Sequence, residues 1–376
     1  MAIFYFILGL LMFIGLVIFH EFGHYLLARR NGVEVEEFGL GFPPRAKILT
    51  KRKGTIYSLN WLPLGGFVKL KGEHDNDTEK GTFGAANSWA KSKIMMAGVA
   101  MNLVAAFVIF TIVALSGMPR LLYKQSTVQS DTRYKYGTVR ADYIEKGSAA
   151  EKAGIQVDDQ VVLINDQHIS MTEDLTHTTE SLAGKTVIIT YIQKKSGIRK
   201  IAETSLRTSK PHLGLAPYQD GLEIRHSTWS APIVAVGVMK DFTVATFKGL
   251  GTAVKGLGST FAGLFTGNKQ ARQSGQEKAS SQVSGPLGIF TVLYQISKQG
   301  FGLVLFVIGL LSLTLAIMNV LPIPALDGGR LFVMLLYRAR RKELKQKTEE
   351  RIHGTGFAVL MLLFVVITIV DIRRFF

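Results

Sequence analysis

The sequence predicts an α-helical multi-pass membrane protein: four transmembrane helices, a cytoplasmic membrane-associated β-hairpin and an inserted extracytoplasmic α+β domain. Three observations predict it. The 376 residues are basic yet apolar: 44 Lys and Arg against 28 Asp and Glu give a net charge of +16, while charged residues make up only 19%, below the roughly 25% of soluble domains. Four stretches carry no charged side chain over a length near the roughly 20 apolar residues that a bilayer crossing requires: Ala2 to Phe19, Ile94 to Met118, Phe301 to Leu326 and the shorter Gly354 to Val370. The segments between these stretches differ sharply in their share of charge.

Composition already excludes several classes. A nucleic-acid binder is basic and polar, whereas this chain has a positive mean hydropathy of +0.23, so no nucleic-acid partner is expected. There is no Cys, which removes disulfides, a thiol nucleophile and thiolate metal ligands; a metal here must sit on His and carboxylates. The first apolar run has no Lys or Arg before it and no small-residue cleavage site after it, so it is expected to be retained rather than cleaved as a signal peptide.

Orientation follows from the charge. Residues 28–93 hold 12 basic and 7 acidic side chains, residues 330–351 hold 8 and 3, and residues 120–225 hold 15 and 13. Short Lys/Arg-rich loops stay cytoplasmic, while long domains cross with little regard to charge. Both chain ends and the inserted domain are therefore expected outside. The expected division is 1–28 first transmembrane helix, 33–75 hairpin region, 92–118 second helix, 121–216 inserted domain, 217–284 amphipathic helix and linker, 285–329 third helix, and 354–372 fourth helix. Ala235 to Gly267 is apolar but carries Lys240, Lys248 and Lys255 on one helical face, which favours an interfacial helix over a fifth span. Asn268 to Ser284 reads as a Ser-, Gln- and Lys-rich linker.

The chemistry concentrates at the end of the first span in His20-Glu21-Phe22-Gly23-His24. On a helix, positions i and i+4 share a face, so His20 and His24 can hold one zinc with Glu21 beside it as general base. Ionisable residues that continue an apolar span are costly and mark function; the competing reading is a solvated helix end. A catalytic zinc takes three protein ligands and keeps one position open. The third span ends in Asn319-Val320-Leu321-Pro322-Ile323-Pro324-Ala325-Leu326-Asp327-Gly328-Gly329, where two prolines break the helix and the freed backbone must line protein or a cavity. Asp327 is the only acidic residue between Glu277 and Glu343. Its alternative role is a turn or cap before two glycines.

Phe38-Gly39-Leu40-Gly41-Phe42, Arg45 to Leu49, a basic turn at Lys51 to Gly54, and Thr55 to Trp61 predict a β-hairpin. Asn102, inside the second span, reads as an interhelical hydrogen bonder. His74 among Glu73, Asp75 and Asp77 reads as a solvated acidic turn, and His168, His177, His212, His226 and His353 show no ligand pattern.

HEFGH in the first span, PLGGFVKLKGE from Pro63 and NVLPIPALDGG in the third together resemble the site-2 protease family of intramembrane zinc metalloproteases. Within it, four spans and one outside PDZ domain resemble the regulator-of-sigma-E protease branch. The resemblance covers essentially the whole chain. It implies Zn²⁺ held by His20, His24 and Asp327, with Glu21 as catalytic base and Asn319 contacting substrate or the oxyanion. It also implies that the hairpin, through Gly39, Gly41, Pro63, Leu64, Gly65 and Gly66, presents an edge to an extended substrate, and that Pro322 of the third segment contacts the substrate. The expected enzyme cuts transmembrane segments of single-span membrane proteins in a bacterial inner or plasma membrane, with lipid around it. Such substrates include regulatory factors such as anti-sigma factors, and remnant signal peptides.

Residues 121–216 resemble a PDZ domain, with strands at Thr138 to Ile144, Thr186 to Gln193 and Ile198 to Leu206, a helix over Glu173 to Leu182, and a peptide groove rimmed by Tyr136, Gly137 and Val139. The competing class is a non-catalytic PDZ-containing membrane scaffold, against which the complete set His20, Glu21, His24 and Asp327 argues. A zinc transporter would need charged or His residues along a path through several spans, and only one such cluster exists.

Overall fold

The computed structural model describes residues 1–73, 77–266, 270 and 285–375. The linker expected at Asn268 to Ser284, Gln270 apart, and His74 and Asp75 of the acidic turn lie outside them. The chain forms two compact units: residues 1–111 with 238–376, and residues 112–237.

In the first unit, α1 spans Ala2–Arg30. Its sequence is apolar as far as Phe19 and contains no proline, and Arg29 and Arg30 in the last turn complement the helix dipole. Its 29 residues reach about 43 Å at 1.5 Å per residue, enough to cross the roughly 30 Å hydrocarbon layer. The chain then enters β1 (Val35–Arg52) and β2 (Thr55–Leu70). Lys53 and Gly54 both take positive φ, 49° and 83°, the geometry of a two-residue hairpin turn.

Each strand bends and pairs twice. The first half of β1, residues 35–40, lies between residues 56–59 and 66–70 of β2, while residues 45–52 of β1 pair with residues 55–60. The expected hairpin is therefore folded into a small antiparallel sheet with residues 66–70 on one edge. Buried Glu37 fastens its centre, accepting hydrogen bonds from the Arg45 guanidinium and, at 2.6 Å, from the Ser58 hydroxyl.

Asn87 caps α2 (Ser88–Met95) by accepting from the Ala90 N–H at 2.8 Å. It is followed by α3 (Ala97–Ser116). The second unit continues through β3 (Met118–Pro119), β4 (Arg133–Lys135), β5 (Thr138–Ile144), α4 (Ala149–Lys152), β6 (Gln160–Ile164), β7 (Gln167–His168), α5 (Thr172–Ser181), β8 (Thr186–Ile192), β9 (Arg199–Ser205), β10 (Leu215–Asp220) and β11 (Ile224–His226). Its main sheet runs β10-β5-β6-β8-β9 with β7 on β6, and a smaller sheet runs β3-β11-β4. Period-two burial makes the core: Val139 and Ala141 of β5 and Val187, Ile189 and Tyr191 of β8 all point inward. Buried Arg120 joins the parts of this unit, donating to Asp174 at 2.8 Å and to Glu223 at 3.0 Å.

The 36-residue helix α6 (Ala231–Thr266) carries the three lysines. The region expected as one third transmembrane element is three helices: α7 (Pro286–Ser297), α8 (Phe301–Val320) and α9 (Asp327–Ala339). Gly300, at φ 112°, separates the first two, and Pro322 and Pro324 fall in the gap before α9. The last helix is α10 (Gln346–Phe375). Among the described residues, four helices are long and apolar enough to cross a membrane: Ala2–Arg30, Ala97–Ser116, Phe301–Val320 and Gln346–Ile369. The chain is thus a multi-pass membrane protein that also carries β-sheets.

Candidate metal centre

His20 and His24 project from the same face of α1 near its end, and Asp327 opens α9. Their atoms converge. His20 Nε2 and His24 Nε2 are 3.3 Å apart, and each lies 3.2 Å from Asp327 Oδ2. Four ligands in a tetrahedron about 2.0–2.1 Å from zinc stand roughly 3.3 Å from one another, so the triangle matches one face of such a tetrahedron. Asp327 forms no cap on its own helix, which leaves its carboxylate free to face the imidazoles.

The hydrogen bonds behind the triangle set the ring tautomers. His24 Nδ1 lies 2.8 Å from the Ile94 carbonyl, so Nδ1–H donates there and the lone pair sits on Nε2. His20 Nδ1 lies 3.1 Å from the Asn102 side-chain amide, whose buried Oδ1 has no other partner among the described residues. The facing atom is placed as Nδ2; turning the amide over lets Oδ1 accept from Nδ1–H and leaves the His20 lone pair on Nε2. Three lone-pair donors then face one point, and buried Asp327 Oδ2 makes no well-oriented hydrogen bond despite its two close neighbours. A divalent cation resolves that arrangement, so these residues fit zinc. Gly98 of α3 makes room for it: a Cβ there would strike both imidazoles.

Glu21 and Asp327 line a cavity of about 470 Å³ together with Phe67, Val68, Lys69, Leu70 and Arg330. Residues 66–70 pair with β1 on one side only; the Leu70 N–H donates to Glu73 Oε1 at 2.9 Å, and residues 66–69 border the cavity as a strand edge without a second strand. The sheet behind that edge rests on Glu37. Burial pushes its carboxyl up, but hydrogen bonds from Arg45 and Ser58 outweigh this and hold it below the usual carboxylate range.

The other expected site residues fall in several places. Asn319 is half-buried near the end of α8 and makes no side-chain hydrogen bond among the described residues. Gly39 lies under the Phe67 ring, Gly41 turns β1 at φ 82°, and Gly66 approaches Glu21 Cγ. Pro63 and Leu64 continue β2 before Gly65, and Pro322 is exposed in the loop ahead of α9. In the second unit, Tyr136 is exposed and stacks between Tyr134 and His168. Gly137 sits against the Gly221 carbonyl, and Val139 is fully buried.

Sequence reasoning passed over Phe67 to Leu70, Gly98 and the partner of Asn102. Only Asn102 announced itself, as a polar group inside an apolar run. Its interhelical hydrogen bond does form, and it ends on His20.

Fold and site together describe a metallopeptidase whose HExxH helix is itself apolar enough to span a membrane. Residues 8–363 match the family model for peptidase family M50. A protein of Clostridium perfringens named "Putative zinc metalloprotease" is 31% identical over 369 residues, covering 98% of both chains. "Zinc metalloprotease RasP" of Bacillus licheniformis is 26% identical over 451 residues, again covering 98% of both. The chain belongs to peptidase family M50, the site-2 protease family, and is a zinc-dependent metalloprotease.

Proposed function

We propose that this protein is an intramembrane endopeptidase that cuts transmembrane segments of single-span membrane proteins, among them anti-sigma-type regulators and remnant signal peptides. The observation that carries the reading is the 3.2–3.3 Å triangle of His20, His24 and Asp327, set beside an open strand edge. These three residues would hold the zinc. When bound, zinc supplies a Lewis acid that lowers the pKa of a water toward neutrality and polarises a peptide carbonyl. Glu21 takes the proton from the attacking water and returns it to the leaving amine. Asn319 donates to the developing oxyanion.

A transmembrane helix cannot be cut while its backbone is fully paired. The edge at Phe67 to Lys69 offers replacement hydrogen bonds to an unwound, extended segment, and Gly39, Gly41, Pro63 to Gly66 and Pro322 lie around it. Phe42, Trp61 and Leu62 are exposed on this sheet, which supports contact with lipid. Residues 121–216 act as a PDZ domain. Strand β10 runs past the expected boundary at 216 to Asp220 and is an edge of the main sheet, and Gln219 on it accepts from the Thr172 N–H that opens α5; a strand edge beside a helix suits peptide addition. Tyr136, Gly137 and Val139 lie at or near the start of β5 next to it. The charge asymmetry supports a bacterial cell-membrane topology with both chain ends and this domain extracytoplasmic.

Glu21→Gln in proteoliposomes is the test. Cleavage of a model transmembrane substrate is expected to vanish while about one zinc per chain is retained. Undiminished cleavage removes Glu21 as the base.

A further inference from the structure

Asp327 is reached through a loop with an unusual backbone. Ala325, two residues before it, sits at φ 77°. The other non-glycine residues at positive φ among the described residues are Lys53, Asp158, Asn165 and Arg341. Asp and Asn tolerate this region by bonding their own backbone, whereas alanine has nothing with which to do so. A left-handed alanine persists only where its surroundings hold it there.

Those surroundings are the first turns of α10. The Ala325 N–H donates to His353 Nδ1 at 3.2 Å. Nδ1 is therefore the acceptor and the ring is the neutral Nε2–H tautomer; Nε2 has no partner among the described residues. One turn further, Gly356 lets Pro324 lie directly on the helix: a Cβ at Gly356 would meet the Pro324 carbonyl oxygen at 2.7 Å and carbonyl carbon at 2.8 Å. Pro324 and Ala325 are thus clamped to α10, and Leu326 and Asp327 follow with no slack. The Leu326 N–H already donates to the Ile323 carbonyl at 3.1 Å.

We propose that His353 is a positioning residue for the metal centre. By accepting the Ala325 N–H it keeps the alanine left-handed, and it thereby sets the Asp327 carboxylate opposite His20 and His24. The last span then contributes to zinc binding without supplying a ligand. The inference rests on the reading of Asp327 as a ligand.

The test is a matched pair of variants in the full-length protein, purified in detergent with zinc and challenged with a chelator. His353→Asn places an amide oxygen where Nδ1 accepts; His353→Leu has the same branching and number of side-chain heavy atoms as that asparagine and no acceptor. The Leu variant is expected to bind zinc about 10–100-fold more weakly, the range for loss of an outer partner of a metal ligand, and the Asn variant to stay close to the unaltered protein. Equal zinc affinity in the Leu variant overturns the proposal. So does equal weakening in both, which would mean that the ring only fills space. Should the Leu variant not fold, His353→Ala replaces it in the comparison under the same criteria. Asp327→Ala separates the two levels of argument. Zinc retained there refutes the ligand itself; zinc lost there but unaffected by His353→Leu refutes only the positioning role.

Discussion

The two halves of the metal centre are built in opposite ways. His20, Glu21 and His24 ride on one unbroken helix whose 3.6-residue repeat alone brings the imidazoles to one face. Asp327 arrives some 300 residues later, at the first position of a helix that follows a proline-broken loop. Nothing local fixes that carboxylate. Its place depends on close backbone approaches at Gly328 and Gly329, which sit against the carbonyls of Val320 and Ile323, and on the clamp from α10. A helix delivers ligand geometry from its own repeat, whereas a loop needs the rest of the fold to deliver it. Alterations far from the zinc should therefore act mainly through Asp327.

Two alanine substitutions break the comparison most directly. At Gly329 a Cβ collides with the Ile323 backbone, and backbone cannot turn aside. Overpacking of this kind costs about 1–3 kcal/mol, so Gly329→Ala should lower the thermal stability of the zinc-free protein and empty the site as well. At Gly98 the three atoms nearest the Cβ all belong to the ends of two side chains, the His20 and His24 rings. Those rings can rotate away, so Gly98→Ala should sacrifice zinc binding with a smaller loss of zinc-free stability. Thermal unfolding with and without zinc measures both, and a larger zinc-free loss at Gly98 would contradict the contrast.

A smaller effect sharpens the helical half. Asn102 orients His20 from α3, while its backbone carbonyl accepts from the Ser312 hydroxyl at 2.8 Å, a bond that side-chain replacement leaves in place. Asn102→Leu should weaken zinc binding about 10–100-fold. Asn102→Asp, which keeps an acceptor for Nδ1–H, should lose much less. Chelator competition measures both, and equal losses would mean that shape rather than the hydrogen bond matters.

The same division decides what the sequence made legible. The four apolar stretches, the HExxH spacing and the proline-broken third segment are all local patterns, and each corresponds to an element of the structure. Strands at Thr138 and Thr186 and the helix at Glu173 were expected from the resemblance of residues 121–216 to a PDZ domain, and each is present. Double pairing within the hairpin did not, because the register that brings residues 66–70 alongside residues 35–40 depends on bends at Gly41 and Gly65 rather than on alternation. The cavity wall at Phe67 to Leu70 was hidden for that reason. His353 was passed over because a lone histidine in the charged first turns of a helix carries no spacing signal, and its partner is a backbone amide 28 residues away.

The smallest expected effect concerns the sheet that presents the strand edge. Glu37 sits where β1 is paired on both sides, opposite Ile56 and Lys69, and its hydrogen bonds from Arg45, in the second half of β1, and Ser58, in β2, tie the bent strands to a common centre. Its carboxyl titrates below the usual glutamate range in the folded protein. The stabilisation is therefore complete above the unfolded-state value and is lost as pH falls through the folded-state value. Amide exchange at residues 66–70 should accelerate in that acidic window, and Glu37→Gln should remove this pH dependence while leaving exchange in α1 unchanged. A glutamine variant with the same acid profile as the unaltered protein would shift the cause to the other acidic residues of the hairpin, Glu34 and Glu36, which pair with Lys71 and Lys69. The edge would then depend on its exposed ion pairs rather than on the one buried carboxylate at its centre.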